Sequence, residues 1–345
     1  MTVYRVEIGT TAGRRFAWLG SAAILALVVF GFRAGAGPLA TMTELFVLVA
    51  LGQLWNLLAG YAGIYSFGQQ AFVGIGAYTT FALADLAGWN LWASLAASAL
   101  VAVVVALPTA WFVFRLRGGY FAVGTWVVAE AYRLVVKNNN TLNPRGTPQP
   151  LRSLAELGAD RFMVVYLVAL TIAVASILGV YLVRRSRIGL ALSAIRDDIG
   201  AARASGVRVF RTQVIVYLLV AGFTGLAGSV YLLENVSIDP DSYFSIALTA
   251  EMVIVVVVGG LGTIEGPIVG AVVFFVLREN LSDLGTWWFI ILGVALIVVM
   301  LRAPSGIWGV VRDRTGLRLF PVQRRLIVED AVPEADETTT IGRSP

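Results

Sequence analysis

The 345-residue chain is 58% hydrophobic and only 14% charged, with a mean hydropathy of +0.81 and a formal net charge of +5. Soluble domains hold about 45–50% apolar and about 25% charged residues, so this chain cannot hide its apolar surface from water and needs lipid as its main solvent. It has no cysteine and no histidine, which excludes disulfides and thiolate metal sites and removes the commonest proton relay and metal ligand.

Apolar stretches fall at 16–32, 39–60, 64–86, 91–114, 118–136, 162–183, 210–233, 244–261, 264–280 and 285–301. The first follows Arg14 and Arg15 without a small-residue cleavage site and reads as a retained helix. Ten helices of about 20 residues need about 200 residues, which the chain supplies with room for loops. The fold expected is therefore an all-α integral membrane protein of about ten transmembrane helices. The segments 64–86 and 259–280 are glycine-rich and read as broken or re-entrant helices, in opposite halves of the chain, as in an inverted repeat.

With the N-terminus inside, alternating spans place 19 of the 26 basic residues on the cytoplasmic side and 7 outside. The asymmetry fits both termini in the cytoplasm and an even number of spans; it also explains the basic balance as topology rather than nucleic-acid binding. One transmembrane domain over 1–310 and a cytoplasmic tail over 311–345 are expected. The tail, with Glu329, Asp330, Glu334, Asp336 and Glu337, has too few apolar residues to pack and reads as disordered.

Residues 137–160 form a polar outer loop, and 184–209 form the longest inner connection. Within the latter, Ile188, Leu192, Ile195, Ile199 and Ala202 recur at helical spacing, with Arg187, Arg196, Asp197 and Arg203 mostly off that face and Gly206 as a stop. Such a helix either lies on lipid headgroups or inserts its apolar ridge into a groove on a partner. The residues read for partner contact are Arg187, Ile188, Leu192, Ile195, Arg196, Asp197, Asp198, Ile199 and Arg203.

A P-loop needs G-x-x-x-x-G-K-[ST], and the single lysine, Lys137, is followed by Asn138. The chain thus carries no Walker A motif, and any ATP coupling must come from another subunit. Ionisable groups inside spans are expensive and become candidates for function: Glu44, Asp85, Glu130 and Glu251, with Glu265 near a membrane end. Glu130 and Glu251 are the best placed; pairing with arginines such as Arg133 is the alternative. Asn56 adds a buried amide, and glycines between Gly60 and Gly76 alternate with Ser66, Gln69 and Gln70, where an unwound backbone would expose polar groups to a cavity. Ala221, Gly225 and Ser229 on one face, and the Gly266–Gly270 pair, read as close helix contacts. No catalytic residue, metal ligand or cofactor site is expected.

The run Asn56–Tyr78, with Gly60, Gly63, Ser66, Gly68, Gly74 and Gly76, resembles the signature of branched-chain amino acid ABC importer permeases. So do Arg117-Gly-Gly-Tyr120 followed by Glu130, Gly189 to Asp198 continuing to Gly206, and Glu251 to Pro267. Their order and spacing are similar to the LivM type. The resemblance implies a second related permease, two cytoplasmic ATPase subunits and a periplasmic substrate-binding protein, in the inner membrane. Residues 187–206 would be the coupling helix, and Asn56, Ser66, Gln69, Gln70, Glu130 and Glu251 would line or gate the path. Gly68-Gln69-Gln70-Ala71-Phe72 and Asn143-Pro-Arg-Gly146 depart from the family pattern, which keeps urea and short amides open as substrates. On the residues alone, a secondary transporter or channel using Glu130 or Glu251 also stays open.

Overall fold

The structure is a computed structural model and describes residues 3–7, 11–281, 287–303, 305–315 and 325–329. After a strand, β1 (Val3–Glu7), come α1 (Thr11–Gly31) and α2 (Ala36–Asn56), which runs on into a π-helical turn, Leu57–Tyr61. Residues 63–69 are unwound before α3 (Gln70–Phe81), itself followed by a second π-turn, Ala82–Leu86. Then come α4 (Leu91–Val113) and α5 (Gly119–Lys137). The outer loop folds into short 3-10 turns, Pro144–Gly146 and Arg152–Asp160, around a two-residue strand, β2 (Gln149–Pro150).

The second half runs α6 (Arg161–Arg185), α7 (Arg187–Asp197), α8 (Ile199–Ala204) and α9 (Val209–Asn235). After β3 (Ser237–Ile238) come α10 (Pro240–Tyr243) and α11 (Ile246–Gly259), then α12 (Glu265–Leu281), α13 (Trp287–Arg302), α14 (Gly306–Thr315) and β4 (Arg325–Glu329). Each of the ten apolar stretches coincides with a helix. Among the described residues, five segments are long and apolar enough to cross a membrane: Ala36–Tyr61, Leu91–Val113, Leu157–Arg185, Val209–Asn235 and Pro240–Gly259. The protein is an α-helical membrane protein.

Capping side chains fix where several helices begin. Asn90 Oδ1 accepts from the amides of Trp92 (2.9 Å) and Ala93 (3.4 Å) at the start of α4, and Asp239 Oδ1 from Ser242 N (2.8 Å) at α10. Asp85 serves another element: its carboxylate accepts from Arg152 N (2.6 Å) and Ser153 N (2.9 Å), closing the outer 3-10 turn. Of the two readings for this residue, it therefore fills the structural one.

α9 lies at the centre, packed against α3 and α4, while α2 packs on α6 and α11 on α12. The α3–α9 contact is backbone on backbone: a Cβ on Gly76 would fall 2.0 Å from the Gly225 carbonyl oxygen, and one on Gly228 would fall 2.2 Å from that of Val73. Gly259 and Gly270 bring α11 and α12 together in the same way, with Cβ positions 1.8 Å from Gly266 O and 1.9 Å from Val255 O. Thr80 Oγ1 donates to Ser229 Oγ (2.9 Å), which lies 2.8 Å from Ser98 Oγ, so three buried hydroxyls join α3, α4 and α9. α1, α5 and α13 are peripheral and show Trp18, Trp126 and Ile290 outward.

β1 pairs antiparallel with β4, Val3 opposite Glu329, so residues 3–7 lie beside residues 325–329. Within the stretch read as the tail, α14 extends to Thr315 and β4 pairs with β1. Residues 316–324 and 330–345 lie outside the described residues.

Candidate functional site

Two helix breaks face each other at the end of the bundle that carries α7 and α8. One is the π-turn Leu57–Tyr61 with the unwound residues after it; the other is residues 260–264, between α11 and α12. Gly63 (φ 66°), Gly260 (φ 135°) and Gly262 (φ 76°) occupy backbone conformations that only glycine adopts readily. Asn56 joins the two: its Nδ2 donates to Thr263 O (2.7 Å) and its Oδ1 accepts from Gly262 N (2.8 Å). Gln53, missed in the sequence, adds a third link by donating through Nε2 to Ile264 O. Side chains from the end of α2 thus supply partners for backbone groups that the second break leaves open.

The unwound stretch is held by hydroxyls from surrounding helices. Gln69 Nε2 donates to Thr224 Oγ1 of α9 (3.0 Å), and Thr249 Oγ1 of α11 donates to Gln70 Oε1. Thr125 Oγ1 of α5 accepts from Phe67 N (3.0 Å), and Trp55 Nε1 donates to Ser66 O (2.9 Å). Thr125, Thr224 and Thr249 were not legible as site residues, because a lone hydroxyl in an apolar helix usually bonds back to its own backbone. Ser66, Gln69 and Gln70 are at most 1% exposed, so in this conformation they are enclosed by the surrounding helices. Gln69 Oε1 is buried there without a hydrogen-bond partner among the described residues.

Glu130 and Glu251 lie elsewhere. Glu130 is ion-paired with Arg133 one turn along α5, and Arg133 also reaches Asp241. Lys137 Nζ joins Asp241 at 2.7 Å, so the outer end of α5 is clasped to α10. Glu251 is half-buried on α11, within electrostatic reach of a second ion pair, Glu44 with Arg278. Glu234 joins that neighbourhood and lines a small cavity of about 20 Å³ with Arg161 and Thr43. The six candidates for the path therefore fall apart: Asn56 links the breaks, Ser66, Gln69 and Gln70 are enclosed in the unwound stretch and at the start of α3, and Glu130 and Glu251 lie in two separate charged clusters.

The inner connection departs from the expected single helix. Asp198 is extended (φ −156°, ψ 116°), and its side chain caps α8 by accepting from Ala201 N (2.8 Å), so α7 and α8 meet at an elbow. The expected apolar ridge also points the other way. Leu192, Ile195 and Ala202 are at most 2% exposed and pack on the protein's own core, with Ile188 half-buried. Arg187, Leu190, Asp197, Asp198, Ile199 and Arg203 face outward. An open groove of about 410 Å³ runs along the elbow, lined by Gly63, Arg196, Asp197, Asp198, Gly200 and Gln213 among others. Gly206 (φ 81°) ends the segment as expected.

Broken helices that meet beside a polar elbow in an apolar bundle are an arrangement found in membrane transporters. The family described as branched-chain amino acid transport system permease component matches residues 36–301, and the chain belongs to it as a LivM-type ABC permease. The high-affinity branched-chain amino acid transport system permease protein LivM of Salmonella typhimurium is 29% identical over 310 residues, covering 82% of this chain and 72% of that protein. LivM of Escherichia coli is also 29% identical, over 325 residues, 86% of this chain and 76% of its own. The xylose transport system permease protein XylH of Haemophilus influenzae is 28% identical over 138 residues, 38% and 37% of the two chains. No solved structure matches the chain.

Proposed function

We infer that the protein is one permease subunit of an ATP-driven importer for branched-chain or related amino acids. It works beside a second, related permease, two cytoplasmic ATPase subunits and a periplasmic substrate-binding protein. The observation that carries this reading is similarity to LivM over more than four-fifths of the chain, together with the missing P-loop. In this scheme ten helices span the inner membrane with both termini in the cytoplasm. The pairing of β1 with β4 supports termini on one side, and the charge asymmetry supports the cytoplasmic side.

The polar outer face of the α7–α8 elbow receives the ATPase subunit, whose nucleotide-driven closure pulls on residues 187–206. The enclosed Ser66, Gln69 and Gln70 separate from Thr224 and Thr249 as the path opens, and Asn56 keeps the two breaks moving together. Glu130, through its ion pair with Arg133, and Glu251, beside the Glu44–Arg278 pair, border the entry. Hydrogen bonds between side chains suit a gate that must open and close, because water or substrate can replace each of them.

The test is uptake of radiolabelled leucine by proteoliposomes holding the whole complex, with its binding protein outside and ATP within. ATP-dependent uptake is expected, and it is lost when residues 188–205 are replaced by a flexible linker. Ion-gradient-driven uptake by this chain alone would refute the importer reading.

A further inference from the structure

Arg196 sits on the elbow yet reaches inward. Its Nη1 donates to the carbonyl of Gly60 (3.2 Å), in the π-turn that ends α2, while Nε and Nη2 bond Asp197 Oδ1 at 3.2 and 3.1 Å. A helix end leaves carbonyls without intrahelical partners, and π-turns of this kind concentrate at functional places. The contact is close on the side of the breaks, while the other side of Arg196 lines the open groove. A Cβ on Gly63 would touch Arg196 Cγ at 3.4 Å and Cα at 3.5 Å, and one on Gly60 would fall 2.6 Å from Gly262 N. Gly262 in turn holds Asn56 Oδ1. A second arginine, Arg184 at the end of α6, stacks on the ring of Tyr61 in the same π-turn at 4.2 Å.

We propose that Arg196 is an internal strut: a positioning residue that carries displacement of the elbow to Gly60 O, and through Gly60 and Asn56 to both helix breaks at once. The inference rests on the importer reading and assigns this arginine an inward role instead of contact with the ATPase. A guanidinium suits the task because it never loses its charge and its planar fork reaches Asp197 and the carbonyl through different nitrogens. Lysine carries its three donors on one atom and lacks the planar fork that spans the two acceptors.

The experiment uses the complete complex in proteoliposomes, with leucine as probe, and compares wild type with Arg196→Ala and Arg196→Lys. Three quantities are read: ATPase subunit retained per permease, ATP hydrolysed, and leucine imported per ATP. Arg196→Ala is expected to retain the ATPase and hydrolyse ATP, while leucine per ATP falls about tenfold or more, the scale of one lost hydrogen bond from a charged donor. Arg196→Lys should fall between. Loss of the ATPase subunit from both variants would make Arg196 a docking residue and overturn the strut, as would an unchanged leucine-to-ATP ratio.

Folding defects in the variants are bypassed by a measurement on the otherwise unaltered chain, which has no native cysteine to remove. Spin labels at Ile199→Cys and Leu261→Cys should keep their separation when the complex is trapped with ATP and vanadate; a changed separation overturns the strut. A wild-type complex that keeps no ATPase or imports no leucine would sink the importer reading itself, an outcome distinct from failure of the variants alone.

Discussion

Asn56 bears two hydrogen bonds that no neighbour can take over. Replacing it with alanine takes the partner from the part-buried Gly262 amide and Thr263 carbonyl, and a buried group left open costs about 1–3 kcal/mol. Asn56→Ala should lower the thermal unfolding midpoint of the purified complex clearly. Asp85→Ala makes the contrast. It releases Arg152 N and Ser153 N at the outer surface, where water replaces the lost acceptor, so the cost should be about 1 kcal/mol, as for a helix cap. Both values come from chemical or thermal unfolding in one detergent, and the expected order is Asn56 well above Asp85.

At the scale of elements, the α7–α8 elbow separates two leucines two residues apart. Leu192 is wholly buried and Leu190 is 71% exposed. Leu192→Asp puts a charge into the core and should destabilise by about 3 kcal/mol or more, seen as loss of folded protein in the membrane. Leu190→Asp should leave the fold intact and reduce ATPase co-purification. Equal behaviour of the two variants would contradict the orientation of the elbow. That orientation was not legible beforehand. The spacing of Ile188, Leu192, Ile195, Ile199 and Ala202 fits one continuous helix, and Asp198 is neutral in such a pattern until its capping role is seen. Periodicity also shows that a face is apolar without showing what covers it. The helices themselves were legible, because hydropathy acts along the chain, and glycine density marked both breaks. The hydroxyls that hold the breaks were hidden, because their partners lie 58 to 179 residues away in sequence.

For the whole molecule, the arrangement of sides can be read directly. Single cysteines at Asn139, in the outer loop, and Ser205, after the elbow, are exposed. A membrane-impermeant thiol reagent added to intact cells should label Asn139→Cys, and Ser205→Cys only after the membrane is opened. The reverse pattern would invert the topology. The purified chain without partners should hydrolyse no ATP above background, since its one lysine lies in no phosphate-binding loop.

The α3–α9 contact sets a different kind of limit, on how this sequence can change. Where side chains meet, as at Thr80, Ser98 and Ser229, a larger residue on one helix can be offset by a smaller one on its neighbour, and a set can be exchanged together. At Gly76 and Gly228 the opposing atom is a main-chain oxygen, which no substitution can trim. A library randomised jointly at Gly76 and Gly225, selected for uptake, should return glycine at 76 whatever stands at 225. One randomised at Thr80, Ser98 and Ser229 should return several compatible trios.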